Sequence, residues 1–271
     1  VRLPRIAVFD SGVGGLTVLR AIGNQLPAHY LYFGDTARLP YGTKSAETVA
    51  RYAIGASKYL EAQSIDLLVI ACNSATALAL PEIRQAAQVP VIGVVEPGAS
   101  MASRVSQSRS AIVIATEATV SSHAYRAALQ QHGMEVYEKA CPLFVPLVEE
   151  GWVDHPVTEQ VARIYLEDAL TGSPHADVLV LACTHYPLIA PLLRRITPSN
   201  LQIVDSAEST AQAVKAALAT GQVSASGVES STGDHRTFRF FVTDSVDKFK
   251  RLATRFLGRQ VDHVEHVDLG G

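Results

Sequence analysis

Residues 177–190 read DVLVLACTHYPLIA, and residues 66–79 read DLLVIACNSATALA. At a constant offset of 111 residues they share Asp66 with Asp177, Leu68 with Leu179, Val69 with Val180, Ala71 with Ala182, Cys72 with Cys183 and Ala79 with Ala190. Each is a continuous apolar run that stops at a thiol with polar residues directly behind it. Continuous apolar runs of this length suit a parallel strand covered on both faces. Two of the chain's three cysteines thus fall at one equivalent place in two half-chains. The openings match as well: IAVFDSG (6–12) and AIVIATE (111–117) read as equivalent first strands.

Outward from these runs the chain alternates strand and helix. RIAVF (5–9), LYFGD (31–35), DLLVIAC (66–72) and VPVIGVV (89–95) are predicted strands, with helices over 16–26, 45–63 and 75–88. EPGAS (96–100) reads as the boundary, and the pattern then restarts. SAIVIAT (110–116), MEVYEKAC (134–141), DVLVLAC (177–183) and LQIVDS (201–206) are strands. Helices are expected over 119–133, over 157–171, from Pro187 onward and over 208–221. RFFVTDS and VDKFKRLATRFLG add one more strand–helix unit. The alternation predicts an α/β fold of two pseudo-symmetric lobes, each a mostly parallel sheet flanked by helices. Open sheets of this kind bind ligands at the carboxyl ends of their strands, which puts the two thiols on opposite walls of one cleft.

The composition narrows the function. The chain has 271 residues, 48% hydrophobic and 18% charged, enough for about two ordinary domains without covalent staples. A net charge of −3 with scattered Lys and Arg lacks the basic stripe of a nucleic-acid binder. No apolar stretch has the length of a spanning helix, and VRLPRIAVFD does not read as a signal peptide. Three cysteines form no disulfide scaffold, so reduced thiols in a cytoplasmic enzyme are expected.

Two thiols on opposite walls suit one chemistry in particular. Exchange of a proton at a stereocentre needs a base on each face of the same carbon. A cysteine needs help to ionise, and both Cys72 and Cys183 precede a predicted helix, whose N-terminus favours the thiolate. Asp10 ends the first strand and His185 follows Cys183 by two, so each can take or give a proton. The turns DSG (10–12), NS (73–74), TEAT (116–119) and TH (184–185) offer hydroxyls and backbone N–H groups for carboxylates. A small substrate with a carboxylate and an exchangeable α-proton fits.

In order, VFDSGVGGLTV, GDTARLPYG, ACNSATA, GVVEPG, PLFVPLVEEG and LACTHYP resemble the motifs of the glutamate racemases, spanning residues 6 to about 206. The resemblance implies a cofactor-independent racemase with no metal, acting on glutamate for peptidoglycan, in the cytoplasm and as a homodimer. It implies Cys72 and Cys183 as the two bases, Asp10 assisting Cys72, and Glu149 and His185 assisting Cys183. Ser11, Tyr41, Gly42, Asn73, Ser74, Thr116, Thr119 and Thr184 match substrate contacts, alongside Asp10 and His185. It implies that residues 207–271 return to complete a first lobe of residues 1–97, with 98–206 as the second. Ser74 departs from the family's threonine: the hydroxyl is kept and a methyl is lost.

Plainer readings exist for each residue. A single cysteine at the end of an apolar strand is ordinarily core packing, and Cys141, which has no counterpart, is read that way. Asp10 also suits a helix N-cap, and Glu149 and Glu150 suit solvated helix-end charges. The turn GVGGLT lacks both the dinucleotide and the P-loop patterns. None of the six lysines lies in a motif, as a pyridoxal enzyme would require. Aspartate or hydantoin racemisation keeps the same fold and thiols. A thiol-redox or zinc module, lacking any C-x-x-C, and a non-catalytic amino-acid-binding protein are the other readings.

Overall fold

A computed structural model describes residues 2–221, 223 and 236–270; the parts of the expected 207–271 segment at 222, 224–235 and 271 lie outside the described residues. The first sheet is built on β1 (Arg5–Asp10), β2 (His29–Gly34), β3 (Leu67–Ile70) and β4 (Val91–Gly93). The second holds β5 (Ser110–Ala115), β6 (Glu135–Ala140), β7 (Val178–Ala182) and β8 (Gln202–Asp205). Two late strands, β9 (Thr237–Val242) and β10 (Glu265–His266), extend the first sheet beyond β2. The orders are β10-β9-β2-β1-β3-β4 and β6-β5-β7-β8, so 2-1-3-4 in one sheet repeats as 6-5-7-8 in the other. Every pairing among the described residues is parallel.

β3 and β7 are buried along their whole lengths, which explains their unbroken apolar sequences. Along β1 the side chains alternate between two cores: Ala7 and Phe9 face one, Ile6 and Val8 the other. That second core is continuous with Ile112, Ile114, Leu179 and Leu181 of the second sheet. The two sheets therefore share a central apolar layer, in which Leu16–Gln25 packs against Ser206–Ala219, and each carries a separate outer core. Helix starts follow local chemistry. Ser45 caps Ala46–Glu61 by accepting from the Thr48 N–H at 3.3 Å, and Asp205 caps Ser206–Ala219 by accepting from the Glu208 N–H at 2.9 Å.

Three local details differ from the sequence reading. EPGAS (96–100), read as the boundary, is not a break in regular structure: it lies in the helix Val95–Val105. Pro97 sits in the first turn, where no backbone N–H is needed, and Val95, Ala99 and Ala102 pack into the outer core of the second sheet. The single helix expected over 119–133 is two, Glu117–Ser122 and Ala124–Gln131, broken at His123 with φ +54°. The segment from Pro187 first makes a 3₁₀ turn, Tyr186–Ile189, before the helix Ala190–Ile196.

Candidate active site

Both matched cysteines open onto one cavity of about 440 Å³ at the carboxyl ends of β1, β3, β5 and β7. Each is only 6% exposed. Ser11, Tyr41, Gly42, Asn73, Ser74, Thr116, Glu149, Thr184 and His185 also line it, so eleven of the thirteen residues singled out in the sequence meet on its wall. The other two, Asp10 and Thr119, lie buried directly behind it, each 1% exposed.

Cys72 ends the run after β3 and caps the helix Asn73–Ala86. Its Sγ accepts the Ala75 N–H at 3.4 Å and lies 3.5 Å from the Ser11 hydroxyl. The expected help from the helix end is present, but it is outweighed. Burial, and next the negative charge of Asp10, push the Cys72 thiol up to about 11. Burial likewise raises Cys183, against the His185 N–H that lowers it. Both thiols are thus protonated at neutral pH.

Asp10 accepts the Gly12 N–H on Oδ2 at 2.9 Å, while its buried Oδ1 has no hydrogen-bond partner. Burial raises its carboxyl above the ordinary range, against backbone N–H groups and His185. On the other wall, His185 Nδ1 stands 3.5 Å from the Thr184 hydroxyl and Nε2 3.3 Å from Glu149 Oε1. Glu149 closes the helix Phe144–Glu149, half-buried, whereas Glu150 points to solvent. The hydrogen bond to His185 comes first among the causes that hold the Glu149 carboxyl at about 2, despite burial. The glycine turn serves packing between the lobes. A Cβ at Gly14 would lie 2.2 Å from the Thr184 hydroxyl and 2.5 Å from His185 Nδ1.

The hydroxyls of Ser74, Thr116 and Thr119 form a triangle with sides of 3.0, 3.3 and 3.0 Å. Thr119 thus buttresses the two hydroxyls that reach the cavity. The Tyr41 hydroxyl is spent on Asp35, to which it donates at 2.5 Å, which leaves its ring and backbone for the wall. Sequence reading missed several supports. The Asn73 amide is fixed by the Tyr125 hydroxyl, which donates to Oδ1 at 2.7 Å, and donates from Nδ2 to Ser206 at 3.3 Å. Lys248, in no motif, lines the cavity and donates to Glu149 Oε2 at 3.2 Å. Tyr125 sits in an ordinary amphipathic helix, and Lys248 is about 100 residues from its partner, so neither carries a local signal. Cys141 is fully buried away from the cavity wall, its thiol pushed by burial to about 12. Among the described residues no group of three or more His, Cys, Asp and Glu side chains is placed to hold a metal ion.

The site brings the hydroxyls of Ser11, Ser74, Thr116 and Thr184 into one cavity with two thiols, one backed by a buried carboxyl and the other by an imidazole–carboxylate pair, which suits a small molecule bearing a carboxylate. Comparisons with known proteins agree. Residues 6–214 match the family model described as Asp/Glu/Hydantoin racemase. A glutamate racemase from Koribacter versatilis is 61% identical, over 99% of this chain and 98% of its own length. The glutamate racemase of Francisella tularensis, solved in complex with D-glutamate, superposes with a TM-score of 0.88 at 34% identity, covering 99% of both chains. That of Thermus thermophilus, in complex with β-chloro-D-alanine, gives 0.85 at 42% identity, over 98% of this chain and 97% of that one. By sequence and by fold, the chain belongs to the Asp/Glu/Hydantoin racemase family.

Proposed function

We propose that this cavity interconverts L- and D-glutamate by a two-base mechanism. The observation that carries the reading is the pair of thiols at equivalent strand ends on one cavity. Relatives named glutamate racemase, up to 61% identical over nearly the whole chain, supply the substrate. One cysteine, as thiolate, takes the α-proton from its face of the substrate. The electron pair left on carbon is delocalised into the carboxylate, and the other cysteine's S–H returns a proton from the opposite face. The product is the enantiomer, with one thiol protonated and the other ionised in the reverse sense.

The elevated thiols set what the rest of the site must do. A thiolate at Cys72 is costly because the thiol is buried beside Asp10, and the positive charge of the substrate's ammonium would offset that cost. Asp10, whose carboxyl is raised and lacks a partner on Oδ1, is placed to exchange a proton on the Cys72 side. His185 with Glu149 is placed to do so on the Cys183 side. By family resemblance Cys183 serves L-glutamate and Cys72 D-glutamate. Ser74, Thr116, Asn73, Thr184 and the Tyr41–Gly42 backbone bind the carboxylates, with Thr119 behind them. The lobes that flank the cavity are residues 1–97 with 207–271, and 98–206. The pairing of β9 with β2 supports that division.

The same family reading gives a cytoplasmic homodimer that supplies D-glutamate for peptidoglycan, without a cofactor. No helix of the described residues is long and apolar enough to cross a membrane. The deciding experiment incubates each enantiomer of glutamate and of aspartate separately in D₂O, following configuration and α-deuterium together. Glutamate should racemise with deuterium incorporation; faster racemisation of aspartate would reject the substrate while leaving the two-base chemistry in place.

A further inference from the structure

The acid–base pair beside Cys183 is held by an element from the far end of the chain. The helix Val246–Leu257 follows β9 and buries Phe249, Leu252, Ala253, Phe256 and Leu257, so the shared core fixes its position. From it Lys248 donates to Glu149 Oε2 at 3.2 Å. Two turns on, Arg255 donates to the backbone carbonyls of Val148 and Glu149 at 3.1 and 2.9 Å. Phe256 meets the His185 ring edge-on, with centroids 5.0 Å apart. The two oxygens of Glu149 are thereby divided: Oε1 faces His185 and Oε2 is taken by Lys248. Among the described residues lining the cavity, Lys248 is the one lysine or arginine.

We infer that Lys248 is a positioning residue for proton transfer at Cys183, acting through Glu149 by fixing which carboxylate oxygen meets His185. The inference rests on the assignment of Glu149 and His185 to the Cys183 face. An ion pair with a half-exposed lysine adds little to stability, so holding the fold together is a poor reason for this contact. Orientation is a better one. Glu149 is the last residue of a six-residue helix, where a carboxylate without a second partner is free to turn toward water. Its carboxylate bonds His185 from the turn after β7 and Lys248 from the C-terminal helix, while Arg255 of that helix holds its backbone carbonyl. With Oε2 held, one rotation of the side chain satisfies both partners. The other role open to the ammonium, direct contact with a substrate carboxylate, would appear in KM.

The test is a double-mutant cycle between Lys248→Met and Glu149→Gln, with Lys248→Arg as the conservative variant, read as kcat and KM for glutamate racemisation. Coupled neighbours of this kind typically interact strongly enough that Lys248→Met should lower kcat about tenfold, with KM changed less than about twofold. Lys248→Arg should restore most of that loss. In the Glu149→Gln background, Lys248→Met should change kcat by less than about twofold, because the group it acts through is gone. An equal loss in both backgrounds, a loss confined to KM, or no loss in Lys248→Met would overturn the inference while leaving Glu149 in its role. A Glu149→Gln enzyme with the parent rate would overturn both.

Discussion

The two halves of the molecule repeat their backbone and not the ionisable residues beside their thiols. Strand order 2-1-3-4 recurs as 6-5-7-8, and Cys72 and Cys183 stand at equivalent ends with equal exposure. The groups that we propose exchange protons with them do not correspond. Asp10 ends the central strand β1, and the equivalent residue at the end of β5 is Ala115. His185 lies two residues after Cys183, where the first lobe has Ser74. One thiol is backed by a buried carboxyl with an unpartnered oxygen, the other by an imidazole tied to an ionised glutamate and a lysine. The repeated backbone supplies two thiols facing one cavity. What stands behind each has been fitted separately, and the difference lies where the two faces of a chiral carbon would have to be treated differently.

The largest expected effect tests the shared part. Cys72→Ser and Cys183→Ser should each lower racemisation on the order of 10³-fold, because either direction needs both faces; a chiral assay in which one variant kept more than a tenth of the parent rate would break the symmetry of the thiols. Next comes a support that the second lobe lends to the first. Tyr125→Phe leaves the buried Asn73 Oδ1 without its donor, and an unsatisfied buried acceptor costs about 1–3 kcal/mol. KM for glutamate should rise about tenfold with a smaller change in kcat. An unchanged KM would show that Asn73 needs no such anchor.

The smallest effect separates the two carboxyls by sign. The Glu149 carboxyl is held at about 2, below its ordinary 4.5, so its contribution to stability is complete above about pH 4.5 and is lost as pH falls toward 2. Discounted for partial exposure, that is about 1–2 kcal/mol at neutral pH. Glu149→Gln should therefore lower Tm at pH 7 by roughly 3 °C and lose that difference in acid. Asp10 is shifted the other way, so its ionisation opposes folding as pH rises above its ordinary 3.8. Asp10→Asn should raise Tm at pH 7 while impairing catalysis. Calorimetry at both pH values decides, and shifts of the same sign would contradict the contrast.

Much of this was legible because it is local. The apolar runs of β3 and β7, and the cysteines that end them, are consecutive residues whose burial on both faces dictates their composition. The matched offset brought Cys72 and Cys183 to one cavity before any geometry was known. What stayed hidden is long-range. Lys248 and Glu149, or Tyr125 and Asn73, meet only because separate elements pack on a shared core, and nothing in their own neighbourhoods marks them. The choice of Glu149 over Glu150 came from family resemblance, and the physical distinction is the turn that sends one toward His185 and the other to solvent. The proline and glycine of EPGAS mark a boundary in the sequence without breaking the helix there, because Pro97 falls in its first turn, where no backbone N–H is needed. Helix N-termini promised easier ionisation, and burial reversed it at both thiols.

The most direct test of two facing bases is α-deuterium exchange in D₂O with each serine variant and each pure enantiomer of glutamate. A single remaining thiol can remove the α-proton and return a deuteron on its own face without inverting the centre. Cys183→Ser should exchange D-glutamate slowly and leave L-glutamate untouched, and Cys72→Ser should do the reverse, both without racemisation. If either variant exchanged both enantiomers equally, or still interconverted them at a rate near the parent's, the two thiols would not be the two faces of the reaction.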